Sequence, residues 1–502
     1  MIPVTTFAGR TVAVFGLARS GLATAAALIE GGAAVWAWDD GEKGREAAEK
    51  AGLTTVDLAE ADWSEIAALV LSPGVPLTHP EPHWTVKRAH DAGVEIIGDT
   101  ELFFRERAAT GSQARVIAIT GTNGKSTTTA LVAHILRNAG VPTELGGNIG
   151  DAILGLEPLQ DDRAYVIEFS SYQIDLTPSL HPNAAALLNI SPDHLDRHGT
   201  LENYAAVKAR IFANLTASDT AVIGVDDPLS AAIAEHIPKG PGVVHVSVTH
   251  DLADGIRGKD AKLWTVSNGD AVECADLSAN LALRGKHNWQ NAAVAYVLTS
   301  AVGVTPDAIT AGLATFPGLE HRLEFVGQVV TPNGQILFLN DSKGTNAEAA
   351  AHALAAYNDI FWIAGGQAKD GGIEDLRPLF PRVRHAYLVG ESAEDFAATL
   401  GDDTPSTNSG TIAKAVIQAT TDAAKSGLPA PVVLLSPAAA SFDQFPNFEI
   451  RGQAFKDASL WAVSNGDAVG CADLSQNLAL RGKHNWQNAA AAYVLTSAIG
   501  IA

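Results

Sequence analysis

The chain has 502 residues, 47% of them hydrophobic and 18% charged, with a formal net charge of −22. That length holds about three domains of roughly 150 residues each, and the composition excludes disordered and fibrous classes in favour of a soluble α/β protein. The acidic balance excludes a nucleic-acid surface, which needs clustered Lys and Arg, and favours small anionic ligands gripped by a few local cations.

The first predicted strand, Thr11 to Phe15, runs into Gly16-Leu-Ala-Arg19-Ser20-Gly21 and an Ala-rich helix to Glu30. A second strand, Ala33 to Trp38, ends in Asp39-Asp40. An acid there, about twenty residues past the glycines, can bond ribose or base hydroxyls in a nucleotide-binding βαβ unit. The spacing is Gly-x-x-x-x-Gly rather than Gly-x-Gly-x-x-Gly, which favours a mononucleotide or sugar nucleotide over a dinucleotide. Leu69-Val-Leu-Ser72-Pro73-Gly74 reads as a third strand reaching the same sheet edge, so Ser72 and Gly74 are binding candidates; a plain Pro-Gly turn is the simpler account.

Next comes Val116-Ile-Ala-Ile-Thr-Gly121-Thr122-Asn123-Gly124-Lys125-Ser126-Thr127, with a helix predicted over Thr128 to Asn138. Strand, glycine turn and helix start are how a protein holds a polyphosphate: backbone amides and the helix N-terminus face the oxygens, the lysine adds a full charge, and the hydroxyl can ligate magnesium. The spacing is two residues shorter than the general phosphate loop, which marks a subtype. Leu145-Gly-Gly-Asn148 is a polar turn, and the strand Tyr165-Val-Ile-Glu168 ends in an acid where nucleotide-hydrolysing folds hold magnesium. The next strand, Ala184 to Ile190, leads to Asp193-His194-Leu-Asp196-Arg197-His198, placing His194 at the same edge.

Leu201 to Phe212 reads as a helix carrying Lys208, whose neighbours three and four residues away are Tyr204, Ala205, Ile211 and Phe212. A lysine on this apolar face either snorkels outward or turns inward with a lowered pKa and a reactive amine. Asn288 and Asn291 share one face of a helix that starts near Arg284, where they could meet a base or ribose or serve only as caps and packing. Phe316-Pro317-Gly318 suits a domain junction, followed by His321-Arg322. From there strand, loop and helix repeat: Ile336–Leu339 before Asn340-Asp341-Ser342-Lys343-Gly-Thr345, Ile360–Ala364 before Gly365-Gly-Gln-Ala-Lys369, His385–Val389 before Gly390, and Val432–Leu435 before Ser436 to Phe448. This periodicity predicts a doubly wound sheet.

Residues 461–502 repeat 264–305 with differences at only seven of 42 positions. This supernumerary tail is expected to be non-catalytic and dispensable, since the copy lacks the strands and phosphate loop around its original. The two cysteines, Cys274 and Cys471, are copies of one another, so no disulfide framework is expected. With no signal peptide and no apolar run of membrane-spanning length, a cytoplasmic location is expected.

Taken together, Gly121-Thr-Asn-Gly-Lys-Ser126, Glu168-Phe-Ser-Ser-Tyr-Gln173, Asp193-His194-Leu-Asp196, Lys208, His287-Asn288-x-x-Asn291, His321-Arg322 and Asn340-Asp-Ser-Lys343 resemble the Mur ligases, which build the peptide stem of bacterial cell-wall precursors. The stretch Leu435-Ser-Pro-Ala-Ala-Ala-Ser-Phe-Asp-Gln-Phe-Pro-Asn-Phe448, followed by Arg451-Gly452 and Phe455, is similar to the D-glutamate-adding branch. The resemblance covers Met1 to about Leu460 and implies an α/β fold of three domains: N-terminal Rossmann-like (1–109), central P-loop ATPase-type with a parallel sheet (110–317), and C-terminal Rossmann-like (318–460).

It further implies an ATP-dependent amide ligase joining D-glutamate to UDP-N-acetylmuramoyl-L-alanine through an acyl phosphate. By that resemblance Gly121, Thr122, Asn123, Gly124, Lys125, Ser126, Thr127, Asn288, Asn291, Arg322 and Asp341 bind ATP. Lys125, Glu168, His194 and Lys208 are catalytic. Two magnesium ions are implied, one on Ser126 and Glu168, the other on His194 and a carbamylated Lys208. Arg19, Ser20, Asp39, Asp40, Ser72, Gly74 and Asn148 would hold the UDP-substrate, and Lys343, Thr345, Lys369, Ser441, Phe442 and Phe448 the D-glutamate. The implied protein is a monomer with no nucleic-acid partner and no membrane span, in which closure about Pro317-Gly318 completes the site. Rival readings are a folylpolyglutamate synthase, which the N-terminal βαβ unit opposes, a non-hydrolysing nucleotide switch, and an NAD-dependent dehydrogenase.

Overall fold

The computed structural model describes residues 1–369 and 371–464. All but the first four residues of the near-copy 461–502 lie outside the described residues. The chain divides into two compact units, Met1–Phe316 and a second beginning at Pro317.

The first unit holds two sheets. In the smaller, β1 (Thr11–Phe15), β2 (Ala34–Trp38), β3 (Ile66–Leu71) and β4 (Glu95–Ile97) pair in parallel in the order β2-β1-β3-β4. β1 and β3 are near-continuous apolar runs because helices cover both faces of a parallel sheet. The two glycines after β1 are close-approach residues. Gly16 has φ +93° and a Cβ there would lie 2.5 Å from that of Ser72, while a Cβ on Gly21 would overlap the Gly16 carbonyl. The helix Arg19–Glu30 can therefore start directly against the turn.

The larger sheet comprises β5 (Arg115–Thr120), β6 (Thr143–Gly147), β7 (Ala164–Glu168), β8 (Ala184–Leu187), β9 (Thr220–Gly224), β10 (Gly242–Ser247), β11 (Gly255–Lys259), β12 (Lys262–Ser267) and β13 (Asp270–Asp276). Its order is β13-β12-β11-β10-β9-β8-β5-β7-β6, parallel from β11 to β6. β5 lies between β8 and β7, so the loops following these three parallel strands open side by side at one edge. The hairpin β12–β13 is an addition that the sequence reading overlooked. Its two-residue turn, Asn268-Gly269, has φ values of +51° and +85°, which is the Asn-Gly chemistry of a type I′ connection.

Element ends also differ from expectation. β8 stops at Leu187, not Ile190, because the Asn189 carbonyl accepts from Thr122 N at 2.9 Å and Ile190 N donates to Asp227 at 3.1 Å. Asn189 leaves the ladder to brace the phosphate loop, and Ile190 leaves it for Asp227. The following helix begins at Lys125 rather than Thr128, and the segment predicted over 201–212 is α-helical to Ala209 before tightening into a 3₁₀ turn, Arg210–Phe212.

In the second unit, β14 (Glu324–Thr331), β15 (Gly334–Asn340), β16 (Ile360–Gly365), β17 (Val383–Val389), β18 (Ser406–Gly410) and β19 (Val432–Leu435) form a sheet ordered β14-β15-β19-β16-β17-β18. Only β14 is antiparallel to its neighbour. Helices cover both faces of this doubly wound sheet, and its core includes the fully buried Trp362, whose Nε1 donates to Ser436 O at 2.7 Å. The loops after β15, β19 and β16 are neighbours at the C-terminal edge.

Candidate active site

The phosphate loop is shaped by two glycines. Gly124 is the N-cap of helix Lys125–Asn138 with φ +84°, and a Cβ on it would overlap Oδ1 of Asn291. Gly121, at φ +154°, has room for no Cβ, since Leu188 Cβ would be 2.9 Å away. Among the described residues no side chain caps this helix, so its N-terminal partial charge faces the loop. Lys125 curls over the loop, donating to Gly121 O at 2.9 Å and Thr122 O at 2.6 Å. Ser126 is buried in the first turn, and Thr127 follows it. Asn123 N is held by Asn189 Oδ1 at 2.9 Å.

Beside this loop, Glu168 ends β7 with its side chain fully buried. Asn148 Nδ2 donates to its Oε1 at 2.7 Å, whereas Oε2 is buried with no hydrogen-bond partner among the described residues. An orphaned carboxylate oxygen next to a phosphate loop fits a cation. Among the described residues no three His, Cys, Asp or Glu side chains gather as a metal group. Magnesium is typically bound through one or two carboxylates plus substrate phosphates rather than by an all-protein cage.

Lys208 is 1% exposed, and its Nζ donates to Gly121 O at 2.9 Å and Thr120 Oγ1 at 3.2 Å, 4.7 Å from the centre of the Tyr204 ring. Of the two accounts of its apolar face, the inward one is realised. Burial, and after it the charge of Lys125, depress its pKa well below that of an ordinary lysine, with Asp193 and Glu168 opposing. An amine whose pKa burial holds well below that of an ordinary lysine therefore sits at the base of the phosphate loop. His194 lies nearby in left-handed conformation, φ +52°, its ring 5.1 Å from that of Tyr172 and its Nε2 3.3 Å from Asp193.

Asn288 and Asn291 reach the same region, but their amides are engaged by protein. Asn288 Nδ2 donates to Ala282 O and Arg284 O at 3.3 and 3.0 Å, Asn291 Nδ2 donates to Asn288 Oδ1 at 3.1 Å, and Thr128 Oγ1 donates to Asn291 Oδ1 at 3.2 Å. These bonds are those of caps and helix packing.

The sugar-nucleotide candidates occupy the C-terminal edge of the smaller sheet. Arg19 is exposed, and Ser20 lies beside it in the first turn of their helix; Ser72 and Gly74 follow β3. Asp39 is committed to the turns themselves, accepting from Leu17 N at 2.7 Å and Gly41 N at 2.8 Å. Asp40 accepts from Trp84 Nε1 at 3.1 Å, with His83 Nε2 also 3.1 Å away. Asn148 belongs to the larger sheet and sits on Glu168.

In the second unit, Lys343 Nζ lies 4.9 Å from the centre of the Phe448 ring, and Thr345 N donates to Lys343 O at 2.8 Å. Gln367 and Ala440 exchange backbone hydrogen bonds at 2.9 Å, joining the loop that carries Lys369 to the one that carries Ser441 and Phe442. Ser441 is buried and Phe442 is 70% exposed. Asp341 is buried, accepts from Ser436 Oγ at 2.7 Å, and is pushed up to about 7 by burial; Arg322 precedes Leu323, whose amide donates to Asp341 at 3.3 Å.

The sequence reading assigned no role to Arg451, which is 2% exposed and donates to Ser342 Oγ, Ser342 O and Ala439 O at 3.1, 2.8 and 2.9 Å. It fastens the loop after β15 to the loop after β19. Phe448 and Phe455, at i−3 and i+4 on its helix, were the available signal, the same one that marked Lys208.

Residues 119–299 match the Mur ligase middle domain family. Over 456 residues, 91% of this chain and 97% of the relative, the sequence is 56% identical to a UDP-N-acetylmuramoylalanine--D-glutamate ligase of Rhizobium meliloti (strain 1021). It is 57% identical over 458 residues, again 91% of the chain and 98% of the relative, to the protein of that name from Rhodopseudomonas palustris (strain ATCC BAA-98 / CGA009). Among solved structures, UDP-N-acetylmuramate-alanine ligase MurC from Thermotoga maritima has the same fold, with a TM-score of 0.52 at 17% identity over 90% of this chain and 99% of that one.

Proposed function

Because the chain belongs to the Mur ligase family, among its UDP-N-acetylmuramoylalanine--D-glutamate ligases, we propose that it joins D-glutamate to UDP-N-acetylmuramoyl-L-alanine at the expense of ATP, as a step in making the peptidoglycan precursor. The observation that carries the chemistry is the pairing of a glycine phosphate loop with the orphaned Glu168 oxygen and the buried Lys208 amine.

A carboxylate is a poor acylating agent until one of its oxygens can leave. The alanyl carboxylate attacks the γ-phosphorus of ATP and expels ADP, forming an acyl phosphate. The D-glutamate amine then adds to the acyl carbon, loses a proton and expels phosphate, leaving the amide. Nucleophile and phosphate are both anionic in the first step, so cationic groups must hold them together. We assign the β/γ-phosphate grip to Lys125 and the amides of Gly121 to Thr127. Ser126 and Glu168 would hold magnesium, which would supply charge neutralisation to the phosphates.

By family pattern we extend this to a second ion on His194 and a carbamylated Lys208. A neutral amine adds to carbon dioxide and releases one proton, and the burial that depresses the Lys208 pKa favours that neutral form. Arg19, Ser20, Ser72 and Gly74 are assigned to the UDP-substrate. Lys343, Thr345, Lys369, Ser441, Phe442 and Phe448 are assigned to D-glutamate. The domain reading is 1–109, 110–317 and 318–460, as a monomer in the cytoplasm.

A phosphate-release assay with ATP, UDP-N-acetylmuramoyl-L-alanine and an amino-acid panel tests this. Release should require D-glutamate and the UDP-substrate together; turnover without either, or a preference for another amino acid, overturns the assignment.

A further inference from the structure

Resting on this ligase reading, one side chain joins three of the loops it invokes. Arg197 lies three residues after His194. Its Nη1 donates to Gly74 O at 2.9 Å, and its Nη2 to Val75 O at 2.8 Å and Pro73 O at 3.5 Å. The guanidinium carbon is 4.5 Å from the centre of the Tyr172 ring, which belongs to the turn following Glu168. The same ring stacks with His198 at 18°, and His198 Nε2 lies 2.9 Å from Ser171 Oγ.

We propose that Arg197 is a positioning residue, which clamps the Ser72–Val75 loop of the smaller sheet to the His194 segment and the Glu168 turn of the larger one. The carbonyls it gathers are consecutive acceptors of a turn and do not belong to a strand ladder. A planar fork of fixed donors can hold such a set and at the same time lie on an aromatic face, which an ammonium cannot do. The functional consequence is geometric. The Ser72–Gly74 loop is where the UDP-substrate would be anchored, and the phosphate loop is where ATP would be. The alanyl carboxylate is therefore presented to the γ-phosphate across the joint that Arg197 spans. A misplacement of about 1 Å between reacting atoms can cost on the order of 100-fold in rate.

The test uses full-length Arg197→Ala and Arg197→Lys in the phosphate-release assay, with affinity for the UDP-substrate measured separately by calorimetry. Arg197→Ala should lower kcat/KM for the UDP-substrate by roughly 10- to 100-fold while the KM for ATP moves by less than about threefold. Added guanidinium ion should restore part of the loss, methylammonium should not, and Arg197→Lys should resemble the alanine variant. UDP-substrate affinity should weaken about tenfold. Unchanged affinity and kcat/KM overturn the proposal, and so does a loss that affects both substrates equally with a lowered thermal midpoint, which would mark a merely structural residue. Failure of the ligase reading gives a different signature: the wild-type protein itself releases no phosphate in response to the UDP-substrate. The calorimetric comparison still judges the clamp in that case, an absence of UDP-substrate binding by the wild-type protein counting against it.

Discussion

Asn148 grips Glu168 twice, its Nδ2 donating to Oε1 at 2.7 Å and its backbone N–H to the Glu168 carbonyl at 3.0 Å. The carboxylate is thereby fixed with Oε2 as its free oxygen among the described residues. A residue that orients a metal-binding carboxylate is expected to contribute 10- to 100-fold to metal affinity. Asn148→Ala should accordingly raise the magnesium concentration for half-maximal activity by roughly tenfold or more. A titration showing an unchanged magnesium requirement and only a higher KM for the UDP-substrate would return Asn148 to the sugar-nucleotide site alone.

Gly124→Ala should cripple nucleotide use without unfolding the protein. The position combines φ +84° with a Cβ direction that overlaps Asn291 Oδ1, so alanine must both strain the backbone and displace the amide that Thr128 holds. Left-handed strain costs about 1–3 kcal/mol, and relieving it would shift the loop amides assigned above to the phosphates. The expected outcome is a KM for ATP raised by roughly 10- to 100-fold, as 1.4 kcal/mol is about a factor of ten, with a circular dichroism spectrum like that of the parent.

How far the sequence could be read depends on whether a partner is local. The apolar face carrying Lys208 was legible because Tyr204, Ala205, Ile211 and Phe212 are within one helical turn of it, but that face left the snorkelling and inward accounts both open. The strands that precede the site loops followed from the apolar runs, and Gly121 and Gly124 from the turn chemistry, whereas the order of strands within each sheet did not. Arg197 was not legible, because its acceptors are main-chain carbonyls more than 120 positions away, and a carbonyl carries no side-chain signature. The bond from Asn148 to Glu168 was not legible either, because nothing in Gly-Gly-Asn-Ile-Gly names the strand end beside it. Two misses were avoidable: Asn268-Gly269 between apolar stretches announces a hairpin, and Arg451 sits between two phenylalanines on its own helix.

Lys208→Ala should lose on the order of 100- to 1,000-fold in kcat, the usual scale for removing a group that stabilises transition-state charge. If the carbamate is the working form, short carboxylates such as acetate or propionate should restore part of that activity, and the wild-type protein should gain the mass of one carbon dioxide in bicarbonate, as read by native mass spectrometry. Rescue by short amines instead of carboxylates would mean that the free amine acts, and the assignment of a second ion to this residue would fall.

Asp341 makes stability depend on pH in a direction opposite to that of most carboxylates. Burial raises its pKa from 3.8 to about 7, against the hydrogen bonds from Ser436 and the Leu323 amide. Between those values the folded state holds a proton that the unfolded chain has lost. The folded state thus binds more protons, and its stability falls as pH rises through this window. The loss accrues at up to about 1.4 kcal/mol per pH unit, a few kcal/mol in all. Asp341→Asn keeps Oδ1 as acceptor for the Leu323 amide and can donate its Nδ2 to the Ser436 hydroxyl, but cannot ionise. Relative to this variant, the wild-type thermal midpoint should decline steadily from pH 5 to 7 and level off above; a gap that stays constant over that range, or widens in favour of wild type, would show that the buried carboxyl has found compensation for its charge.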